Sequence, residues 1–348
     1  MSLVKVLYTG ATGYIGGSVL TTLLTTSNEA IKGRLEVTAV VRKPEQAQLL
    51  ESKGVKGILF NGLEDSEQMH NLAKEHDMVI HTASTVHTET ITRMIEGLAA
   101  RRDATGRKVY FIHTAGTGSL ADRPITHAIM EDRVFSDKSD NVYEYLKKRQ
   151  EMEDLPVRRS DVTIVECGRA LNVPTFILMS PLIYGTGTGY FNRRSIQIPR
   201  MVRAAINAKH AEMVSDGAMR WGNIHIEDLA SLYEVLIARI LRGDPVVSGE
   251  KGIYFTVSGE HAWRDISHSI GRDGQAFGAF ESADVRPISL EEAGNKWMDG
   301  NAGFAELVFC SNARTKSDLA GEYGWSPKYG DGYMQTTIME EIKHALLH

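Results

Sequence analysis

The chain has 348 residues, 42% hydrophobic and 24% charged, enough for one large core or two modest ones. Its 39 Lys and Arg against 44 Asp and Glu give a formal net charge of −5, which argues against a nucleic-acid or anionic-membrane partner, since either asks for a basic surface. Two cysteines exclude a disulfide framework and point to reducing, cytoplasmic surroundings, and no apolar run approaches the roughly 20 residues of a membrane span.

Residues 4–9 read as a first strand that runs directly into Gly10-Ala11-Thr12-Gly13-Tyr14-Ile15-Gly16 and then into a helix over 15–25. In that context Gly10 permits the tight turn, Gly13 lets the backbone approach a pyrophosphate, and Gly16 lets the helix pack against the sheet. The bare glycine spacing is weak evidence in a chain with 32 glycines; the strand–turn–helix setting gives it weight. Residues 35–41 form a continuous β-branched run, as in a strand buried on both faces. That run ends at Val41-Arg42-Lys43, where an NAD site usually carries an acid. Two adjacent cations suit the 2′-phosphate of NADP(H) better, through charge-assisted hydrogen bonds; the alternative is a solvated basic turn before Pro44.

Further strand-like segments at 57–60, 78–81, 109–113 and 175–179 alternate with helical stretches, which predicts an α/β fold with a doubly wound, mostly parallel sheet. After about Pro181 the regularity loosens. Residues 185–190, rich in glycine, read as a flexible loop, followed by a helix at 199–209 and a strand-to-helix stretch at 224–240. The expected layout is a Rossmann domain over 1–182, with 220–257 returning to it, and a smaller α/β substrate-binding domain from 183–219 and 258–348. The histidines show no metal-type spacing, so no metal site is expected.

Several segments together resemble the extended short-chain dehydrogenase/reductase superfamily, of the NAD-dependent epimerase/dehydratase type, in an atypical branch near NmrA-like fungal proteins. They are the glycine turn, Asp77-Met78-Val79-Ile80-His81-Thr82-Ala83, the strand reaching Ser119, Ser180-Pro181-Leu182-Ile183-Tyr184-Gly185, Asn223-Ile224-His225-Ile226-Glu227-Asp228-Leu229-Ala230 and Gly324-Trp325-Ser326-Pro327. The resemblance implies that Gly10, Thr12, Gly13, Tyr14, Ile15, Gly16, Arg42, Lys43, Thr82, Ala83, Ser84, Thr114, Pro181 and Ile183 hold the dinucleotide. It also implies that Tyr190, Phe191, Asn192 and His225 border the substrate.

The family's catalytic Ser/Thr, Tyr and Lys are harder to find. Tyr143 and Lys147 match Tyr-x-x-x-Lys, yet the helix leading into strand 175–179 is best read as 157–171. That alignment puts Val157 or Arg158 where the Tyr belongs and Asp161 or Val162 where the Lys belongs. The Ser/Thr position falls on Ala115, with Thr114 and Thr117 beside it. Two readings stay open. Either 143–154 folds back so that Tyr143 and Lys147 reach the nicotinamide, or it is a charged surface helix and the trio is replaced; the composition favours the second. Thr114, Thr117, Tyr143, Lys147 and Tyr184 are the catalytic candidates. The expected function is an NADP(H)-dependent oxidoreductase acting on a small organic carbonyl, imine or enone, as a monomer or homodimer. The alternatives are a non-catalytic NADP-sensing regulator and a non-redox isomerase or lyase that retains the dinucleotide site.

Overall fold

A computed structural model describes residues 3–330 and 332–347, so Met1, Ser2, Asp331 and His348, which fall within the two expected domains, lie outside the described residues. Seven strands form the central sheet: β1 (Val4–Thr9), β2 (Leu35–Val41), β3 (Lys56–Leu59), β4 (Met78–His81), β5 (Tyr110–Gly116), β6 (Thr175–Ser180) and β7 (Ile253–Phe255). Their spatial order is β7-β6-β5-β4-β1-β2-β3, and every neighbouring pair is parallel. Val6, Leu7 and Tyr8 of β1 are all fully buried, as expected for a strand covered on both faces. This is a doubly wound Rossmann fold.

Strand order reverses at β1, which lies between β2 and β4. Successive crossovers therefore leave β1 in opposite directions, and a crevice opens beyond the carboxyl ends of β1 and β4. One face of the sheet is covered by the helices Tyr14–Thr25 and Ile226–Arg242, which contribute Val19, Leu20, Leu229 and Leu236 to a shared core. The other face carries Thr88–Thr105 and Pro156–Ala170, with Ile91, Ile95, Ile164 and Val165 buried.

Local chemistry sets the ends of these helices. Ile226–Arg242 opens with Glu227 and Asp228, closes with Arg239 and Arg242, and stops at Gly243, whose φ of 78° suits glycine. A third core gathers Leu182, Met201, Trp221, Trp263, Trp297 and Phe309 beyond the carboxyl edge of the sheet. The two late motifs meet nearby. Trp325 Nε1 donates to the Asp228 carbonyl at 3.1 Å, and the Asp228 carboxylate accepts from the backbone N–H of Lys328 and Tyr329.

Candidate functional site: two adjoining clefts

The glycine turn sits at the reversal point. Gly10 has φ of 81°, a left-handed value that disfavours any residue with a side chain. A Cβ at position 16 would collide with the Gly10 carbonyl oxygen and with Thr82 Oγ1. Thr82 Oγ1 in turn donates to the Thr9 carbonyl at 2.7 Å, fixing the end of β4 against the turn. The helix Tyr14–Thr25 starts at Gly13 with no side-chain cap and no acid in its first turn. Its first amides and the positive end of its dipole are thus available to an anion. Bare backbone and an uncapped helix together make a cradle that fits a pyrophosphate.

This turn forms one wall of a cleft of about 290 Å³. Gly10, Thr12 and Gly13 line it on one side, Thr82 and Ala83 on another, and Val41 and Arg42 at the end of β2. The Arg42 side chain is exposed, and among the described residues it makes no ion pair. Lys43 is also exposed but begins the helix Pro44–Glu51 and does not line the cleft. Phe60, Leu63, Glu64 and His87 complete the walls.

Beneath residues 82–85 lies a buried polar stack. His81 Nε2 donates to the Ser84 carbonyl at 2.9 Å, its Nδ1 accepts from Thr9 Oγ1 at 2.6 Å, and its ring stacks on His113 at 5.2 Å. Burial pushes His81 down to about 4 and His113 also well below its ordinary value, so both rings are neutral at physiological pH.

A second cleft, also of about 290 Å³, is lined by Thr85, two residues along the chain from Ala83 of the first. Gly116 and Gly118, Ser180 and Pro181, Val157 and Trp221 form its inner walls. Phe304, Leu307, Val308 and Phe309 of the helix Ala302–Phe309 close the far side. Thr117, between the two lining glycines, is buried, and its Oγ1 has no hydrogen-bond partner among the described residues.

Just behind this wall is a buried carboxylate held by a serine. Asp161 lies one helical turn beyond Val157 on the same helix, and the Ser119 hydroxyl donates to its Oδ2 at 2.6 Å. Asp161 Oδ1 is buried without a partner among the described residues. Burial pushes the Asp161 carboxyl up to about 7, against the opposing pull of Ser119 and Arg158. Arg158 itself is fully buried and ties the Ser119, Arg149 and Glu153 carbonyls together.

The fold-back reading of Tyr143 and Lys147 needs correction. The helix Val142–Met152 lies on the outer side of Pro156–Ala170, where Tyr143 Oη donates to Glu166 Oε1 at 3.1 Å and Lys147 Nζ donates to the same oxygen at 3.1 Å. Glu166 is roughly 13 Å along its helix from Val157, so neither residue lines either cleft.

Other candidates are also held away from the clefts. Thr114 Oγ1 shares a 2.5 Å hydrogen bond with Tyr233 Oη on the opposite face of the sheet. Tyr184 is buried edge-on to His225. His225 Nδ1 caps its own helix at the Glu227 N–H, and its ring stacks on Tyr329 at 3.6 Å. Ile15 and Ile183 pack into the core beside the first helix, and Ser84 Oγ accepts from the Val86 N–H.

The predicted flexible loop is instead clasped to the first helix. Tyr14 Oη donates to the Gly185 carbonyl at 2.7 Å, and the Thr188 N–H donates to Ser18 Oγ. Gly189 packs directly on Gly17, where side chains would collide. Tyr190 and Phe191 rest on the core, with Lys53 over the Tyr190 ring, and the Asn192 N–H reaches the Thr12 carbonyl of the glycine turn at 3.3 Å; none of the three lines the apolar cleft.

A family profile described as NAD(P)H-binding matches residues 10–211, more than half of the chain. Over 339 residues, 93% of this chain and 92% of the relative, the sequence is 28% identical to "Oxidase ucsJ" of Acremonium sp.. Among solved structures, the chain superimposes with a TM-score of 0.63 on the dTDP-glucose 4,6-dehydratase DesIV of Streptomyces venezuelae, crystallised with NAD, at 15% identity over 98% of this chain and 97% of that one. With a triphenylmethane reductase of Citrobacter sp., complexed with NADP(H), the TM-score is 0.60 at 15% identity, covering 98% and 99%. These likenesses agree with the extended short-chain dehydrogenase/reductase fold.

Proposed function

The chain belongs to the NAD(P)H-binding family, and from that premise we propose that it is an NADP(H)-dependent oxidoreductase acting on a small organic carbonyl, imine or enone. One observation carries this reading. One segment serves both clefts: Thr82 and Ala83 line the cleft built on the glycine turn and Thr85 lines the apolar cleft, which sets a dinucleotide and an apolar ligand against near neighbours in the chain. The oxidase name of the fungal relative supports redox chemistry. When bound, the dinucleotide supplies or accepts a hydride.

The protein's own groups do the rest. The Gly10–Gly16 turn holds the pyrophosphate on backbone amides, and the unpaired Arg42 guanidinium receives the 2′-phosphate. Thr85 and Ser180 offer hydroxyls to the substrate oxygen, and the aromatic far wall excludes water. A regulator that senses the dinucleotide without turnover is the second reading, favoured by the displacement of Tyr143 and Lys147 onto Glu166.

Calorimetry with NADPH and NADH, followed by NADPH oxidation across a panel of aldehydes, ketones, enones and imines, separates the two. Tight NADPH binding with turnover is expected. Binding without turnover on any class favours the regulator, and no binding of either dinucleotide refutes both.

A further inference from the structure

We propose that the second cleft selects an uncharged, mainly apolar ligand with an aromatic-sized body and one polar head, and that it rejects nucleotide sugars. This deepens the oxidoreductase reading and rests on it. Three observations support the assignment.

None of the residues lining the cleft is charged, among the described residues. The neighbouring arginines are already engaged: Arg200 Nη1 donates to the Trp297 carbonyl at 2.6 Å and pairs with Asp299 at 3.1 Å, and Arg194 pairs with Glu341. A diphosphate entering here would lose its water and gain no cation.

The polar atoms of the aromatic wall point elsewhere. Trp221 Nε1 donates to Ser311 Oγ at 3.1 Å, and Gln197 Nε2 donates to the Val308 carbonyl at 2.6 Å. With its N–H committed, Trp221 offers the cleft carbon surface; its Cη2 lies 3.9 Å from where a Cβ on Gly118 would stand. Adding a side chain at 118 would therefore fill the slot between Trp221 and the β5 end.

Besides Gln197, whose amide is turned to Val308, the polar side chains of the cleft are Thr85 and Ser180. Ser180 Oγ accepts a hydrogen bond from Thr256 Oγ1 at 3.0 Å, which leaves its own proton for a ligand oxygen. Thr85 lines the same cleft, two residues along the chain from Ala83 of the first. The ligand's head thus faces the reacting end, and its body lies against Val157, Trp221, Phe304 and Phe309. A volume of about 290 Å³ is at the small end of ligand pockets, which suits a one- or two-ring compound.

Saturation-transfer NMR on the full chain tests this, with trans-cinnamaldehyde and 2-naphthaldehyde as neutral probes and UDP-glucose as the anionic comparison. Both aldehydes should bind saturably, receiving most saturation at their ring protons, and UDP-glucose should neither bind in this cleft nor displace them. Val157→Asp should weaken the aldehydes about tenfold or more, since it sets a carboxylate against an apolar ligand. Because that variant risks the fold, Ile196→Asp provides a second one. Ile196 is 65% exposed at the mouth and precedes the helix Gln197–Ala208, where Asp is a favoured cap, and about threefold weaker binding is expected. NADPH affinity should stay within about twofold in both variants, because neither residue lines the first cleft. UDP-glucose displacing the aldehydes, or aldehydes failing to saturate a protein that binds NADPH, would overturn the ligand class alone. Failure of NADPH itself to bind would fall on the preceding reading.

Discussion

Asp161 makes a prediction that needs no substrate. Its carboxyl is 1% exposed, and burial raises it from an ordinary 3.8 to about 7, while the unfolded chain retains the ordinary value. Between those two values the folded protein holds a proton that the unfolded chain has released, so stability falls as pH rises through the window. Below about pH 4 the group contributes no penalty; above about pH 7 the penalty is complete and constant. Each unit is worth about 1.4 kcal/mol, so the stretch from pH 5 to pH 7 costs ~3 kcal/mol. Asp161→Asn removes the titration and keeps an acceptor for Ser119. The unpaired position of Oδ1 makes the amide costly as well, by about 1–3 kcal/mol, but that cost does not depend on pH. The diagnostic quantity is therefore the difference between wild type and variant at pH 8 minus the same difference at pH 5. Urea unfolding followed by tryptophan fluorescence at both pH values should show the variant gaining ~3 kcal/mol relative to wild type. Other raised acids, such as Asp137 at about 6, occur in both proteins and cancel. A relative gain below about 1 kcal/mol would mean that a proton donor reaches Oδ1 in solution and that the carboxylate is satisfied.

Arg42→Asp should lower NADPH affinity by about 10–100-fold while NADH affinity holds or rises, as measured by calorimetry, because the lost partner is a phosphate and the new carboxylate suits a ribose hydroxyl. Equal losses for both dinucleotides would remove Arg42 from the phosphate site. Tyr143→Phe should leave NADPH affinity and turnover within about twofold and cost about 1 kcal/mol of stability, since it deletes only the hydrogen bond to Glu166. A fall in turnover of about 100-fold or more, the scale of a lost general acid, would show that the helix Val142–Met152 moves to the cleft during the reaction.

How far the sequence could be read depends on how local the causes are. The β2 strand was legible because its run from Val37 to Val41 is apolar or β-branched at every position and is buried throughout, and the Gly10–Gly16 turn was legible because strand, turn and helix are contiguous. The second cleft was not. Its walls come from Gly116, Val157, Trp221 and the helix Ala302–Phe309, which no local pattern links. The late signal was the mostly apolar stretch of the helix Ala302–Phe309, broken by Glu306, which reads equally well as ordinary core. Tyr143 and Lys147 show the converse: their spacing reported a true helix and a shared face but not the neighbour that face meets. The Ser119–Asp161 pair joins a turn to a helix 42 positions away, and the only hint was an acid standing where the resemblance wants a lysine. The 185–190 segment was misread because closely spaced glycines signal mobility and tight packing equally; here they admit Gly17 and Ser18.

The order in which the strands are made has a consequence for synthesis. The glycine turn ends at Gly16, yet Ile226–Arg242, the helix that buries the outer side of Tyr14–Thr25, and β7, which closes the far edge of the sheet, come more than two hundred residues further along the chain. A nascent chain halted near residue 182 would carry every lining residue of the dinucleotide cleft while its first helix lay bare and β6 remained an open edge. Such a fragment should aggregate when expressed alone, and the growing polypeptide should depend on chaperones until Ile226–Arg242 and β7 have been delivered.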